Sequence, residues 1–284
     1  MRILVIGGTG KVGRPLVTAL LERGVDVRVL TRSPDPGKAP PEAEQVQGDL
    51  TRPESLPPAF EAVDRCYLLT PLAEDEIGMG TNAVEAACRA GVERIVFQSV
   101  LSAAEAPGIP HFASKVEILD RIRESDIPWV VVSPGSFYQN DVVLRDLIVG
   151  PGIYANPIGS KGVNRVDVRD VADVAASALL DEGNDSRDIP VVGPDTWTGP
   201  NIAATYGEIL GRRVRYSGDD LEAWSVAASG HLPLWLLRNL RKMFDHMQRN
   251  SLLPTDRQVA ESRAALGHDP RPFRDFAQEL VAGA

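Results

Sequence analysis

Apolar residues in the first half of the chain come in short unbroken runs separated by longer amphipathic stretches. RILVIG at residues 2–7 is one such run, as expected of a strand buried on both faces. KVGRPLVTALLERG, residues 11–24, then spaces its apolar side chains for a helix and stops at Gly24. The alternation continues. VDVRVLT (25–31), AEQVQGD (43–49, a weaker signal), RCYLLTP (65–71), ERIVFQSV (93–100) and PWVVVSPG (128–135) read as strands. TNAVEAACRAG (81–91) and SKVEILDRIRES (114–125) read as helices. Strand followed by helix, repeated, predicts an α/β fold: a parallel sheet with helices on both faces.

Beyond Gly150 the pattern loosens. VDVRDVADVAASALLDEG, residues 166–183, predicts a helix capped by Asp170, with Asp173 three positions later. NIAATYGEILG (201–211) reads as a helix and RRVRYSG (212–218) as a strand. LPLWLLRNLRKMFDHM (232–247) mixes apolar and basic residues at helical spacing. It is expected to be a helix of a small lobe, with a membrane-surface helix as the alternative. The expected division is a main domain over residues 1–150, joined by 163–193, and a smaller lobe over 194–284.

Composition narrows the function classes. A net charge of −9 over 284 residues argues against a general nucleic-acid binder, which needs a basic surface. The apolar runs are far too short to span a bilayer. Cys66 and Cys88 lie in apolar segments without metal-ligand spacing, so both are expected to be reduced and buried in a cytoplasmic protein.

The most specific chemistry follows the first strand. IGGTGKVG places Gly7, Gly10 and Gly13 between a strand and a helix, the context of a dinucleotide phosphate loop. Gly7 permits the sharp turn, Gly10 lets a pyrophosphate approach, and Gly13 allows close packing. The helix N-terminus offers N–H groups to the phosphates. Where NAD sites carry an acidic residue after the second strand, this chain has Thr31, Arg32 and Ser33, with Lys38 in the same loop. Arg32 suits a 2′-phosphate, which points to NADP(H). Asp49 either accepts a hydrogen bond from the adenine amino group or caps the next helix, a job that Thr51 could also do, and the pattern leaves both open.

GGTGKVG, GD, LLTP, HFASK, VVSPGSFYQN, VDVRDVADV and VVGPDTWT occur in an order that resembles the NmrA-like branch of the atypical short-chain dehydrogenases/reductases. The resemblance covers roughly the first two-thirds of the chain. It implies a Rossmann-type doubly wound parallel sheet with a smaller C-terminal substrate lobe. It also implies nucleotide contacts from Thr9, Lys11 and Val12, from Leu50 beside Asp49, from Thr70 and Pro71, and from Pro134 and Gly135 after Ser133. In the family pattern a Tyr-x-x-x-Lys motif follows a serine. Here His111 stands at the tyrosine position, Lys115 is retained, and Ser99 is the serine. Residues four apart share a helix face. Lys115 is therefore expected to hold the nicotinamide ribose and His111 to donate a proton, with Tyr138 as a competing donor. Phe112, Val116 and Leu119 are expected to pack on the sheet. No metal site is expected. The branch holds both reductases of small acceptors, such as quinones or conjugated carbonyls, and NADP(H)-sensing regulators that act through a protein partner. The reductase is the leading expectation and the regulator the alternative.

Overall fold

Valine, isoleucine and leucine fill both faces of the short runs, and these runs form one parallel sheet. The computed structural model describes residues 1–183 and 186–283. It contains two compact units: residues 1–104, 111–134 and 168–191 in the first, and 105–110, 135–167 and 192–284 in the second. The expected boundaries differ from this. Residues 135–150 belong to the second unit, and only 168–191 returns to the first.

The first unit holds seven strands: β1 (Arg2–Ile6), β2 (Asp26–Thr31), β3 (Glu44–Gln47), β4 (Arg65–Leu68), β5 (Arg94–Gln98), β6 (Trp129–Pro134) and β7 (Arg187–Val191). All pair in parallel in the order 3-2-1-4-5-6-7. The order reverses between β1 and β4, and such a reversal opens a crevice at the carboxyl ends of the strands. Helices α1 (Gly13–Glu22), α2 (Glu76–Ala90), α3 (Pro110–Arg123) and α4 (Val168–Leu180) cover the sheet. Leu4 and Ile6 join Ala83 and Val84 of α2 and Ile118 and Ile122 of α3 in one core. Ile3 and Val5, which alternate to the other face, are equally buried.

Four local expectations need correction. Helix α2 begins at Glu76 rather than at Thr81, because Gly78 and Gly80 break the apolar spacing that marks a helix. Both glycines have packing reasons: Asp75 caps the helix through the Gly78 N–H, and a Cβ on Gly80 would lie 2.5 Å from Ile118. In α4, Asp170 is a fully buried first-turn residue and not the cap, since the helix starts at Val168. The buried stripe of α3 is Phe112, Lys115, Ile118 and Ile122, while Val116 is only half-buried. Cys66 is buried as expected, but Cys88, near the C-terminus of α2, is exposed.

In the second unit, Val163–Val166 forms the middle strand of a small sheet between Ser136–Phe137 and Thr196–Trp197. Ile153–Tyr154 pairs with Arg215–Tyr216, the only part of RRVRYSG that becomes a strand. Five helices follow: α5 (Gly199–Leu210), α6 (Leu221–Ala228), α7 (Leu234–Asn250), α8 (Asp256–Leu266) and α9 (Phe273–Ala282). Helix α7 sends Phe244 and Met247 into a core shared with Tyr138, Tyr154, Tyr206 and Phe273. Its basic face pairs in part with neighbours, as Arg241 does with Glu222 at 2.9 Å. Among the described residues no helix is long and apolar enough to cross a membrane.

Candidate functional site

The carboxyl ends of the first unit's strands carry most of the residues singled out by sequence. After β1 the chain turns at Gly7, whose φ of +84° favours glycine. The Gly10 N–H donates to the Gly7 carbonyl at 2.9 Å and closes the turn. Gly13 opens α1 against the loop itself: a Cβ there would lie 2.1 Å from the Gly7 carbonyl oxygen and 2.5 Å from Gly8 Cα. Gly8 has a similar constraint that the motif did not reveal, since its Cβ would meet Val29 of β2 at 2.8 Å. Gly10 differs from these. It is exposed, and its Cβ would touch only the Gly7 oxygen, at 3.2 Å. A side chain is thus excluded at Gly8 and Gly13 by the fold, whereas at Gly10 the space lies on the open side of the loop. Helix α1 has no side-chain cap, as suits an N-terminus that receives an anion. Thr9, Lys11 and Val12 complete the loop, with Val12 buried as the helix N-cap residue.

The loops after β2 and β3 lie side by side, with the Gly48 N–H donating to the Thr31 carbonyl at 2.9 Å. Arg32 and Ser33 are exposed. The Gln47 side chain donates to the Arg32 carbonyl at 3.1 Å, which fixes the backbone there. The Thr31 hydroxyl bonds within the loop, to the Ser33 carbonyl. Lys38 is exposed and stands 3.7 Å from Asp35. Asp49 accepts from both the N–H and the hydroxyl of Thr51, at 2.9 and 2.8 Å. Those hydrogen bonds, with help from Arg52 and Arg32, hold its carboxyl below the usual range. Asp49 thus closes a turn of its own loop and caps neither of the short helices that follow, Pro53–Ser55 and Pro57–Phe60, whose N-cap residues are Arg52 and Leu56. Leu50 is buried, and its carbonyl accepts from Asn82 of α2 at 2.7 Å.

After β4, the residue before Thr70 abuts the glycine loop: a Cβ on Gly7 would lie 3.1 Å from the Leu69 carbonyl oxygen. Pro71 is exposed. Thr70 is buried and belongs to a closed polar cluster. The Lys115 ammonium lies 2.7 Å from Glu76 and donates to the Thr70 hydroxyl at 2.8 Å. Thr70 donates in turn to Glu76 at 2.7 Å, and the Ser114 hydroxyl reaches the other Glu76 oxygen at 2.5 Å. Lys115 also sits 5.6 Å from the centre of the Phe97 ring. Burial pushes the Lys115 ammonium below the ordinary lysine range, while Glu76 acts in the opposite direction. Glu76 and Ser114 were not singled out from sequence. The acid lies 39 positions from its lysine and inside an unrecognised helix start.

His111 is in the first turn of α3, half-buried, with its ring edge-on to Phe112. Sharing a helix with Lys115 has not made the two a pair, because the ammonium is directed to Glu76 and Thr70. Ser99 and Ser133 are buried where β5 and β6 run side by side, and the Ser99 N–H donates to Val132 at 2.9 Å. Pro134 ends β6. Gly135 and Tyr138 belong to the second unit. Gly135 meets the Asn164 side chain, which a Cβ would approach to 2.8 Å. Tyr138 is fully buried, donates to the Arg271 carbonyl at 3.3 Å and packs on Phe273 and Phe276.

Comparison with known proteins identifies the family and the fold. The profile of the NmrA-like family matches residues 1–277. An NAD(P)H azoreductase of Xenophilus azovorans is 35% identical, over 99% of this chain and 98% of that protein. A (4-alkanoyl-5-oxo-2,5-dihydrofuran-3-yl)methyl phosphate reductase of Streptomyces griseus is 30% identical, over 98% and 97%. An NADPH-dependent quinone oxidoreductase of Escherichia coli, solved with NADPH, superposes with a TM-score of 0.87 at 20% identity, over 98% of this chain and 99% of that one.

Proposed function

The chain belongs to the NmrA-like family, and from that premise we propose that it is an NADPH-dependent reductase of small organic acceptors. The observation that carries the reading is the glycine loop. Its backbone is tightly packed at Gly7, Gly8 and Gly13 and open at Gly10, beside an uncapped helix N-terminus. These residues fit a pyrophosphate. Arg32 would hold the 2′-phosphate, and the ends of β4 and β5 would receive the nicotinamide half. The nicotinamide supplies the hydride. The chain's own residues bind it, orient it and supply a proton. Azo dyes, quinones and conjugated carbonyls are the acceptors proposed, with the azoreductase similarity in support of the first.

The test is anaerobic incubation with NADPH and a panel of azo, quinone and enone acceptors, followed at the nicotinamide absorbance. Steady oxidation is expected with at least one class. NADPH binding with no oxidation across the panel would favour the regulator instead. Absence of nucleotide binding would overturn both.

Two residues make the reading specific. The guanidinium of Arg32 is expected to form charge-assisted hydrogen bonds to the 2′-phosphate, worth about 1.5–3 kcal/mol each. Exposure of the side chain brings this toward the lower end. Arg32→Ala should therefore weaken NADPH binding by about ten- to a hundred-fold and leave NADH nearly unchanged. Calorimetric titration of both nucleotides at fixed ionic strength decides it. An equal loss for both would mean that Arg32 only supports the loop.

His111 is proposed as the proton donor, since it stands half-buried at the helix start, in the position of the motif's tyrosine, and histidine titrates near neutrality. His111→Phe should remove most of kcat and flatten the alkaline fall of the rate, with NADPH affinity little changed. An unchanged pH–rate profile would assign proton delivery to solvent.

A further inference from the structure

We infer that Glu76 is a positioning residue for the nicotinamide half of the nucleotide site, holding Lys115 and Thr70 in the arrangement that binds the cofactor. The inference rests on the reductase reading above and extends it to a residue outside the family's Tyr-x-x-x-Lys motif.

The geometry singles out Glu76. Two separate segments converge on its carboxylate: the end of β4 through Thr70, and α3 through both Ser114 and Lys115. Glu76, Thr70, Ser114 and Lys115 are all buried. Each Glu76 oxygen has its own partners, Oε1 the ammonium and the Thr70 hydroxyl, Oε2 the Ser114 hydroxyl. Thr70 is therefore oriented from both sides, accepting from Lys115 and donating to Glu76. It follows Leu69, whose carbonyl underlies the phosphate-loop turn at Gly7. Displacing Thr70 would thus disturb the wall shared by the loops after β1 and β4.

A buried ion pair is weak as a source of stability, because desolvation of both charges offsets most of their attraction. A hydrophobic pair could fill the same volume. A cluster of this kind at the carboxyl ends of the central strands is better explained by what it positions. Glu76 opposes the burial that favours the neutral amine. Around the ammonium stand Glu76 from α2, the Thr70 hydroxyl from the end of β4, the Phe97 ring from β5 and the Ser114 hydroxyl on its own helix. Glu76 is the charge that acts on it.

This gives the test its sign. In Glu76→Gln the influence that raises the Lys115 pKa is gone and the burial that lowers it remains. The ammonium should then lose its proton at a lower pH than in the parent. NADPH affinity is measured by calorimetry as a function of pH, so that no turnover by His111 enters. The parent should hold its affinity. Glu76→Gln should bind about ten-fold or more weakly at the alkaline end and recover part of the loss at the acid end. Glu76→Asp should restore much of the binding. If Glu76→Gln does not fold, the paired variant Glu76→Leu/Lys115→Met removes both charges together and should fold yet bind weakly. Parent-like affinity at every pH in folded Glu76→Gln, or in the paired variant, would overturn the inference and leave the reductase reading intact. A parent that binds neither NADPH nor NADH would overturn both.

Discussion

Replacing Gly10 with valine should abolish nucleotide binding while leaving the protein folded. The two halves of that expectation have separate physical grounds. Gly10 is exposed, has no positive φ, and would offer a Cβ only one close neighbour, the Gly7 carbonyl oxygen at 3.2 Å. That oxygen need give way by only a few tenths of an ångström, so the cost should be about 1 kcal/mol and the melting temperature should stay within about 4 °C of the parent. Binding is another matter. The isopropyl group would stand on the open side of the loop, where the pyrophosphate must meet backbone N–H groups. Affinity for NADPH and NADH should fall together, by about a hundred-fold or more, because both carry the pyrophosphate. Gly13→Val provides the contrast. Its Cβ would lie 2.1 Å from a backbone oxygen, so the loop must break and the melting temperature must drop. Parallel thermal melts and titrations separate the two positions. If Gly10→Val bound NADPH as the parent does, the phosphate loop would be wrongly assigned.

The tight turn after β1 was legible in sequence because Gly7, with its positive φ, and Gly13, pressed on the Gly7 carbonyl, answer backbone constraints within one short segment. The parallel sheet was legible for a similar reason: strands buried on both faces leave unbroken apolar runs, as RILVIG does. What could not be read depends on distant segments. Glu76 and Ser114 look like ordinary helix residues until α2 and α3 are set side by side, and Gly78 and Gly80 disguise the helix that carries the acid. Gly80 is small because Ile118 presses on it, a contact with no sequence signature. Lys115 was found through its spacing from His111, yet its partners are Glu76 and Thr70. Cys88 was misjudged because a helix flanked by alanines looks apolar on every side near its C-terminus, while its last turn faces water.

The second unit left the fewest signals, and its centre holds the side chain whose loss should destabilise the protein most. Asp141 and Arg165 are both buried and meet through two hydrogen bonds, Nη1 to Oδ2 at 3.0 Å and Nη2 to Oδ1 at 2.9 Å. Tyr154 and Tyr206 donate to the same carboxylate at 3.3 and 3.0 Å. Burial, reinforced by Asp141, pushes both phenols well above their ordinary range, so they remain donors. The guanidinium also donates to the Phe137 and Tyr138 carbonyls and lies over the Tyr138 and Phe273 rings. Asp141→Asn keeps the shape but removes the charge and leaves a buried cation uncompensated. Breaking such a pair costs about 3–5 kcal/mol, which for a unit of this size lowers the melting temperature on the order of 10 °C. Three of the four tryptophans, Trp197, Trp224 and Trp235, lie in this unit and only Trp129 in the first, so tryptophan fluorescence reports chiefly its unfolding. The paired variant Asp141→Leu/Arg165→Met removes both charges at once and should be less destabilised than Asp141→Asn alone, because no charge is left without its partner. If the paired loss were instead the sum of the two single losses, the ion pair would not be what organises this core.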